Sequence, residues 1–164
     1  MAIRQMSVDR FSVISSRSFQ EVVAAVDQKI GHPDMDKFGR EVASSRTEDE
    51  LENVVQAAVG PTDLMEFLRL DIGGVLRKEL GEGAPRSLRF IVGNPLIMKQ
   101  MAKFVPDAGS YAPVTILIDE RSDGVHLSYD RMASFLASYG NAGALRVARD
   151  LDAKVETLLE AAAK

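Results

Sequence analysis

The chain contains no cysteine. Disulfides, zinc–thiolate sites, iron–sulfur clusters and thiol catalysis are therefore excluded, and the composition fits a reducing compartment. Histidine is almost as scarce, with two residues, His32 and His126. Two isolated histidines do not make the clustered ligand set of a zinc or haem site, although one could still serve as a single axial ligand. No run reaches the roughly 18–20 apolar residues that a membrane span needs. The opening stretch, Met1 to Val13, has no apolar segment long enough for a signal peptide. A cytoplasmic protein without membrane partners is expected. Lys and Arg number 20 against 24 Asp and Glu, a formal charge of −4. That balance disfavours nucleic acid as a partner, because such affinity comes largely from neutralised phosphates.

What remains is ordinary globular material. The 164 residues are 46% hydrophobic and 27% charged, enough for one domain with its own core. The alternation in 11–15 predicts a strand. Ser18 with Glu21 is a capping-box pattern, and Phe19, Val22, Val23, Val26 and Ile30 repeat at helical spacing until Gly31 ends the helix. Two short helices are expected as an insert over 32–60, the second capped by Thr47 and Glu50 and stopped by Gly60-Pro61. A strand follows at 64–70, then a glycine-weakened helix over 72–80 and a strand at 87–92. Asn94-Pro95 starts a helix, since Asn is a good N-cap and Pro suits the first turn.

Residues 114–118 form a continuous apolar run, which predicts a strand buried on both faces. A turn at 119–124, with Asp123-Gly124 its strongest signal, leads into the alternating strand 125–129, making a hairpin. Asp130 is expected to cap the next helix, and a final helix from about 142 carries Leu145, Ala148, Leu151, Val155 and Leu158 on one stripe. The pattern predicts an α+β fold, a single mixed, largely antiparallel sheet with helices packed on it. The expected division is a domain over 1–140 and a helical extension over 141–164, which could pack on its own domain or on a partner subunit.

The segment Phe90-Ile91-Val92-Gly93-Asn94-Pro95, the strand opened by Pro113, and Asp123-Gly124-Val125-His126-Leu127-Ser128-Tyr129-Asp130 resemble the family called domain of unknown function 302. Phe67-Leu68-Arg69-Leu70-Asp71 is similar to that family's strand ending in Asp. The resemblance is clearest over 64–139 and extends to 10–31. It implies a small α+β fold with TATA-binding-protein-like topology, without DNA binding, and it carries no catalytic residues. Where the family often has His after that Asp, this chain has Ile72.

Asp34-Met35-Asp36 begins like a calcium loop but continues with Phe38 and Ser45 where ligands are required. Gly81-Glu82-Gly83 follows a helix and lacks a dinucleotide turn's third glycine. No metal, no cofactor and no catalytic residue are expected. Gly93-Asn94-Pro95 joins a strand end to a helix start, where free N–H groups can meet an anion; the simpler reading is that Asn94 caps and Pro95 rigidifies. Under the resemblance Tyr111 and Tyr129 could reach the same pocket, and Asp71 is a further candidate. His126 alternates with Val125, Leu127 and Tyr129 and is expected to face solvent. Met65, Met98, Met101 and Met132 are expected in the core. Three functions follow: a non-catalytic domain binding a small molecule or partner as a homodimer, an enzyme using His126 with Asp or Tyr neighbours, or a structural oligomerisation module.

Overall fold

A computed structural model describes residues 3–164. Its strands are β1 (Arg10–Ser15), β2 (Met65–Asp71), β3 (Ser87–Gly93), β4 (Val114–Arg121) and β5 (Gly124–Asp130). They form one open sheet in the order β1-β5-β4-β3-β2. Every strand pairing in it is antiparallel, and an isolated parallel bridge joins Gly31 to Met65. The helices are α1 (Phe19–Asp27), α2 (Met35–Ser44), α3 (Glu48–Ala58), α4 (Ile72–Leu80), α5 (Pro95–Ala102), α6 (Met132–Ala137) and α7 (Ala142–Ala163), with a 3-10 turn at Pro106–Ser110. Among the described residues, no helix is long and apolar enough to cross a membrane.

Strand β4 shows how the sheet acquires two unlike faces. Val114, Ile116 and Ile118 are buried, whereas Thr115 and Leu117 between them are only half-buried. The apolar run is therefore covered on one face and not on both, because the helices stack on one side. On that inner face Phe90, Val92, Ile116, Ile118 and Leu127 are completely covered. Each such side chain contributes roughly 1.5–3 kcal/mol by leaving water. Helix α7 runs against β1, β5, α1, α5 and α6. Its Ala148, Leu151, Val155, Leu158 and Leu159 belong to the same core cluster as the sheet. Apart from Leu145, which is only partly buried, the stripe read from the sequence thus packs on its own domain. Met65, Met101 and Met132 are fully buried, as core residues.

The helix ends follow local chemistry, with two corrections. The Ser18 hydroxyl accepts from the Glu21 N–H, and the Glu21 carboxylate accepts from the Ser18 N–H, closing the capping box of α1. Gly31 does not end that helix, which stops at Asp27. Instead Gly31 donates to the Leu64 carbonyl and accepts from Glu66 N–H, both at 2.8 Å, tying residues 28–32 to the start of β2. A Cβ at Gly31 would lie 1.9 Å from the Ala58 carbonyl oxygen, so only glycine allows this approach. Helices α2 and α3 gather Phe38 and Val55 with Met65 into a second, smaller core.

The other correction concerns α6. Asp130 does not cap it, because Asp130 is still in β5, in register with Arg10, which holds its carboxylate at 2.6 and 2.8 Å. The N–H groups of Met132 and Ala133 donate to Asp152 of α7, at 2.7 and 3.1 Å. The β4–β5 turn is tighter than expected: Arg121 pairs with Gly124, leaving a two-residue loop, and Gly124 has φ +140°, a conformation open to glycine.

Candidate functional site

Strand β3 delivers Asn94 to the start of α5. Its Oδ1 accepts from Leu96 N–H at 2.8 Å, and its amide donates to the Asp63 carbonyl and to Asp63 Oδ1, both at 3.0 Å. Asp63 in turn meets Lys154 Nζ at 3.3 Å. Asn94, 5% exposed, is thus a clamp joining α5, the 60–64 loop and α7, with each polar function engaged by the chain itself. Pro95 occupies the first turn. Beside them lies a small apolar cavity of about 100 Å³ lined by Phe67, Gly93, Pro95, Met98, Pro113 and Leu151.

Pro113 also lines a larger cavity, about 420 Å³, that includes outer-face residues of β3, β4 and β5. Tyr111 and Phe135 form one wall, their rings stacked 4.9 Å apart and 11° from parallel. Arg89, Ile91, Thr115 and Asp130 complete it. These residues sit at outward positions of three neighbouring strands, which is how residues far apart in sequence come together. Arg89 donates to Thr115 Oγ1 at 3.2 Å and has no carboxylate partner among the described residues. Asp130 is different, since the hydrogen bond from Arg10 holds its carboxyl below the usual carboxylate range. The groove continues over Leu117 and Ser128, where Arg10 joins Arg89 in lining a cavity of about 210 Å³.

At the rim, Tyr139 donates to Asp107 at 2.7 Å, so the Tyr111 hydroxyl, 2.9 Å away, donates to Tyr139. Hydrogen bonding to Tyr111 and then to Asp107 pushes the Tyr139 hydroxyl up. The guanidinium of Arg4 covers the Tyr139 ring at 4.1 Å. The groove therefore offers an apolar aromatic wall, one cation without an ion-pair partner among the described residues, a paired carboxylate and a hydroxyl.

The remaining candidates lie elsewhere. Tyr129 points inward, 1% exposed, and donates to Asp152 at 2.7 Å. Burial, then the neighbouring carboxylate, push its hydroxyl well above the ordinary tyrosine value. Burial likewise pushes the Asp152 carboxyl up, against three hydrogen bonds that pull it down. His126 is on the outer face as expected but is only 8% exposed, a correction with a simple cause. Strand β5 is internal, so His126 sits between Ile14 and Asp119, and Asp123 closes over it with Oδ1 2.8 Å from Nε2. Asp71 caps α4, accepting from Gly74 N–H at 2.6 Å and from Arg77 at 3.0 Å, at the opposite end of β3 from Asn94. The structure thus places Asn94, Pro95 and Tyr111 around Pro113 and separates them from Tyr129, His126 and Asp71. Arg89, Thr115 and Asp130 are groove residues that the sequence pattern alone does not single out. The available signal was their polarity at outward positions of apolar strands.

Residues 40–162 match the model of the family described as Domain of unknown function DUF302. Among solved structures, the crystal structure of uncharacterized conserved protein DUF302 from Bacillus stearothermophilus is similar, with a TM-score of 0.64 at 9% identity over 93% of this chain and 97% of that one. At that identity the likeness is one of fold. No curated protein matches the chain. The family match takes in β2 to β5, both helices of the 32–60 insert at least in part, and nearly all of α7, well past the stretch on which the sequence resemblance rests. On the strength of that span the chain belongs to the family Domain of unknown function DUF302.

Proposed function

We propose that this protein is a non-catalytic, cytoplasmic binding domain that holds a small organic anion in the groove between the outer sheet face and Tyr111. The observation that carries this reading is Arg89, a guanidinium without a carboxylate partner among the described residues, lining a cavity of about 420 Å³ beside the stacked Tyr111 and Phe135 rings. The volume falls within the roughly 300–1,000 Å³ of small-molecule sites, which combine apolar walls with a few placed polar groups. A guanidinium fork suits a carboxylate, which it can hold through two N–H groups. Asp130 disfavours a second negative charge, so the reading is a monoanion with an apolar or aromatic body. Asn94 and Pro95 then shape the wall through Pro113 instead of touching the ligand.

The test is native mass spectrometry of protein purified from cells, followed by thermal melting with benzoate and butyrate at millimolar concentration. Support is a retained small molecule, or a melting point raised by these acids, that Arg89→Gln abolishes. Equal bare masses and unmoved melting points in both proteins overturn the reading. The intact mass also tests the homodimer expected from the sequence.

A further inference from the structure

A second cluster stands apart from the groove and does not depend on the reading above. Asp27 at the end of α1, His32 in the following segment and Glu66 in β2 each bring a donor atom to one point, all within 4.8 Å of one another. Their placement is built into the backbone. Gly31 is bonded on both sides to β2, and Thr62 donates its N–H and its hydroxyl to the Lys29 carbonyl at 3.1 and 2.7 Å. The carboxylates are oriented as well. Arg69 Nη2 lies 2.5 Å from an oxygen of each, while its guanidinium rests on the Phe90 ring at 4.4 Å.

The histidine supplies the independent observation. Its Nε2 is 3.0 Å from the Asp27 backbone carbonyl. A carbonyl oxygen only accepts, so Nε2 carries the hydrogen, and in the neutral ring Nδ1 keeps its lone pair. That lone pair faces Glu66 Oε2 across 3.6 Å. In the neutral ring two acceptors then meet with nothing donated between them, an arrangement that either a proton on Nδ1 or a bound cation satisfies. A ring whose far N–H donates to a backbone carbonyl, beside carboxylates that are themselves hydrogen-bonded, is the outer arrangement that metal-ligating histidines carry.

We propose that His32 Nδ1, Asp27 and Glu66 bind a divalent transition-metal ion of the zinc class, with Arg69 orienting the two carboxylates. Tetrahedral bonds of about 2.0–2.1 Å put neighbouring donor atoms about 3.3 Å apart, close to the 3.6 Å between Nδ1 and Oε2. Each ionised carboxylate has about four lone-pair positions, so oxygens that Arg69 holds can also ligate. An imidazole in the set selects this class over magnesium or calcium, which take oxygen. Two carboxylates against one guanidinium leave a net negative site, and His32, 44% exposed, leaves an entry path and an open coordination position for water. The scarcity of histidine hid this cluster, because its carboxylates are recruited from Asp27 and Glu66, brought together by the fold.

The full chain, stripped with a chelator, is titrated with Co²⁺ followed by visible absorption and with Zn²⁺ followed by calorimetry. One equivalent should bind with a visible Co²⁺ band. Loss of an outer partner weakens metal sites by about 10–100-fold, so His32→Ala, which removes a direct ligand, should cost more than that. Glu66→Gln should also weaken binding, and His126→Ala should bind as the wild type does. Because His32 is exposed, His32→Ala should retain the wild-type circular dichroism. Absence of both the band and the heat in the wild type overturns the proposal, as does binding that His32→Ala leaves unchanged.

Discussion

The two faces of the sheet are made by the same five strands and differ in almost everything else. On the inner face, Phe90, Val92, Ile116, Ile118 and Leu127 have no exposed surface and are covered by helices. On the outer face, Arg89, Thr115, Leu117 and Ser128 alternate with them, and Arg10 and Arg89 find their polar partners, Asp130 and Thr115, on neighbouring strands. Stability and the proposed binding thereby fall to alternate residues of one strand. The groove can change its chemistry without opening the core, because a change of residue at 89 or 115 points away from α7.

The largest effects belong to the inner face. Ile116→Ala should destabilise the protein by about 2–5 kcal/mol in urea unfolding, the usual cost of lost burial plus a cavity. A cost under about 1 kcal/mol would mean that the sheet and α7 do not share a tightly packed core. Asp152→Ala should cost about 2–3 kcal/mol by the same measurement, since it strips an acceptor from Tyr129 O–H, Met132 N–H and Ala133 N–H. A neutral outcome would show that the price of burying that carboxylate cancels its three hydrogen bonds.

What could be read in advance follows the same division. Periodicity marks the inner face, because burial imposes a period of two on strands and 3.6 on helices. The capping residues Ser18, Thr47 and Asn94 were legible because each meets its partner within three residues. The errors arose where the partner is distant. Asp130 resembles a helix cap until β1 presents Arg10 in register, leaving Asp152, 20 residues beyond Met132, to receive the N–H groups of α6. His126 shows the alternation of an exposed residue but lies in an internal strand, and strand order is not written in its neighbours. Arg89 and Thr115 gained a meaning only when β3 and β4 were paired.

Asn94→Ala should come next, at about 1–2 kcal/mol, the loss of a cap together with the Asp63 bonds. Acid titration then separates the arginine-paired acids Asp130 and Glu120 from the buried acid of the core. Hydrogen bonds from Arg10 and Arg86 hold Asp130 and Glu120 below their unfolded values. Their stabilisation is complete above the ordinary carboxylate range of about 4 and is lost as pH falls through the folded values. Burial raises Asp152, which reverses the sign, so its contribution to stability grows as pH falls. Melting temperatures measured from neutral pH downwards should therefore decline below about pH 4–5. They should decline more steeply in Asp152→Asn and less steeply in Arg86→Gln.

The smallest effect is the sharpest test of the comparison. Arg89 is exposed, touches Thr115 by one hydrogen bond, and lies one residue from the fully buried Phe90. Arg89→Gln should change unfolding free energy by no more than about 0.5 kcal/mol, as surface substitutions do. Phe90→Leu, its neighbour in sequence, should cost more than about 1 kcal/mol because the lost ring volume leaves a gap in the core. If the two substitutions cost the same, the outer face is part of the load-carrying structure, and a groove there could not vary independently of the fold. If they separate as expected, residue 89 is free to answer to a ligand.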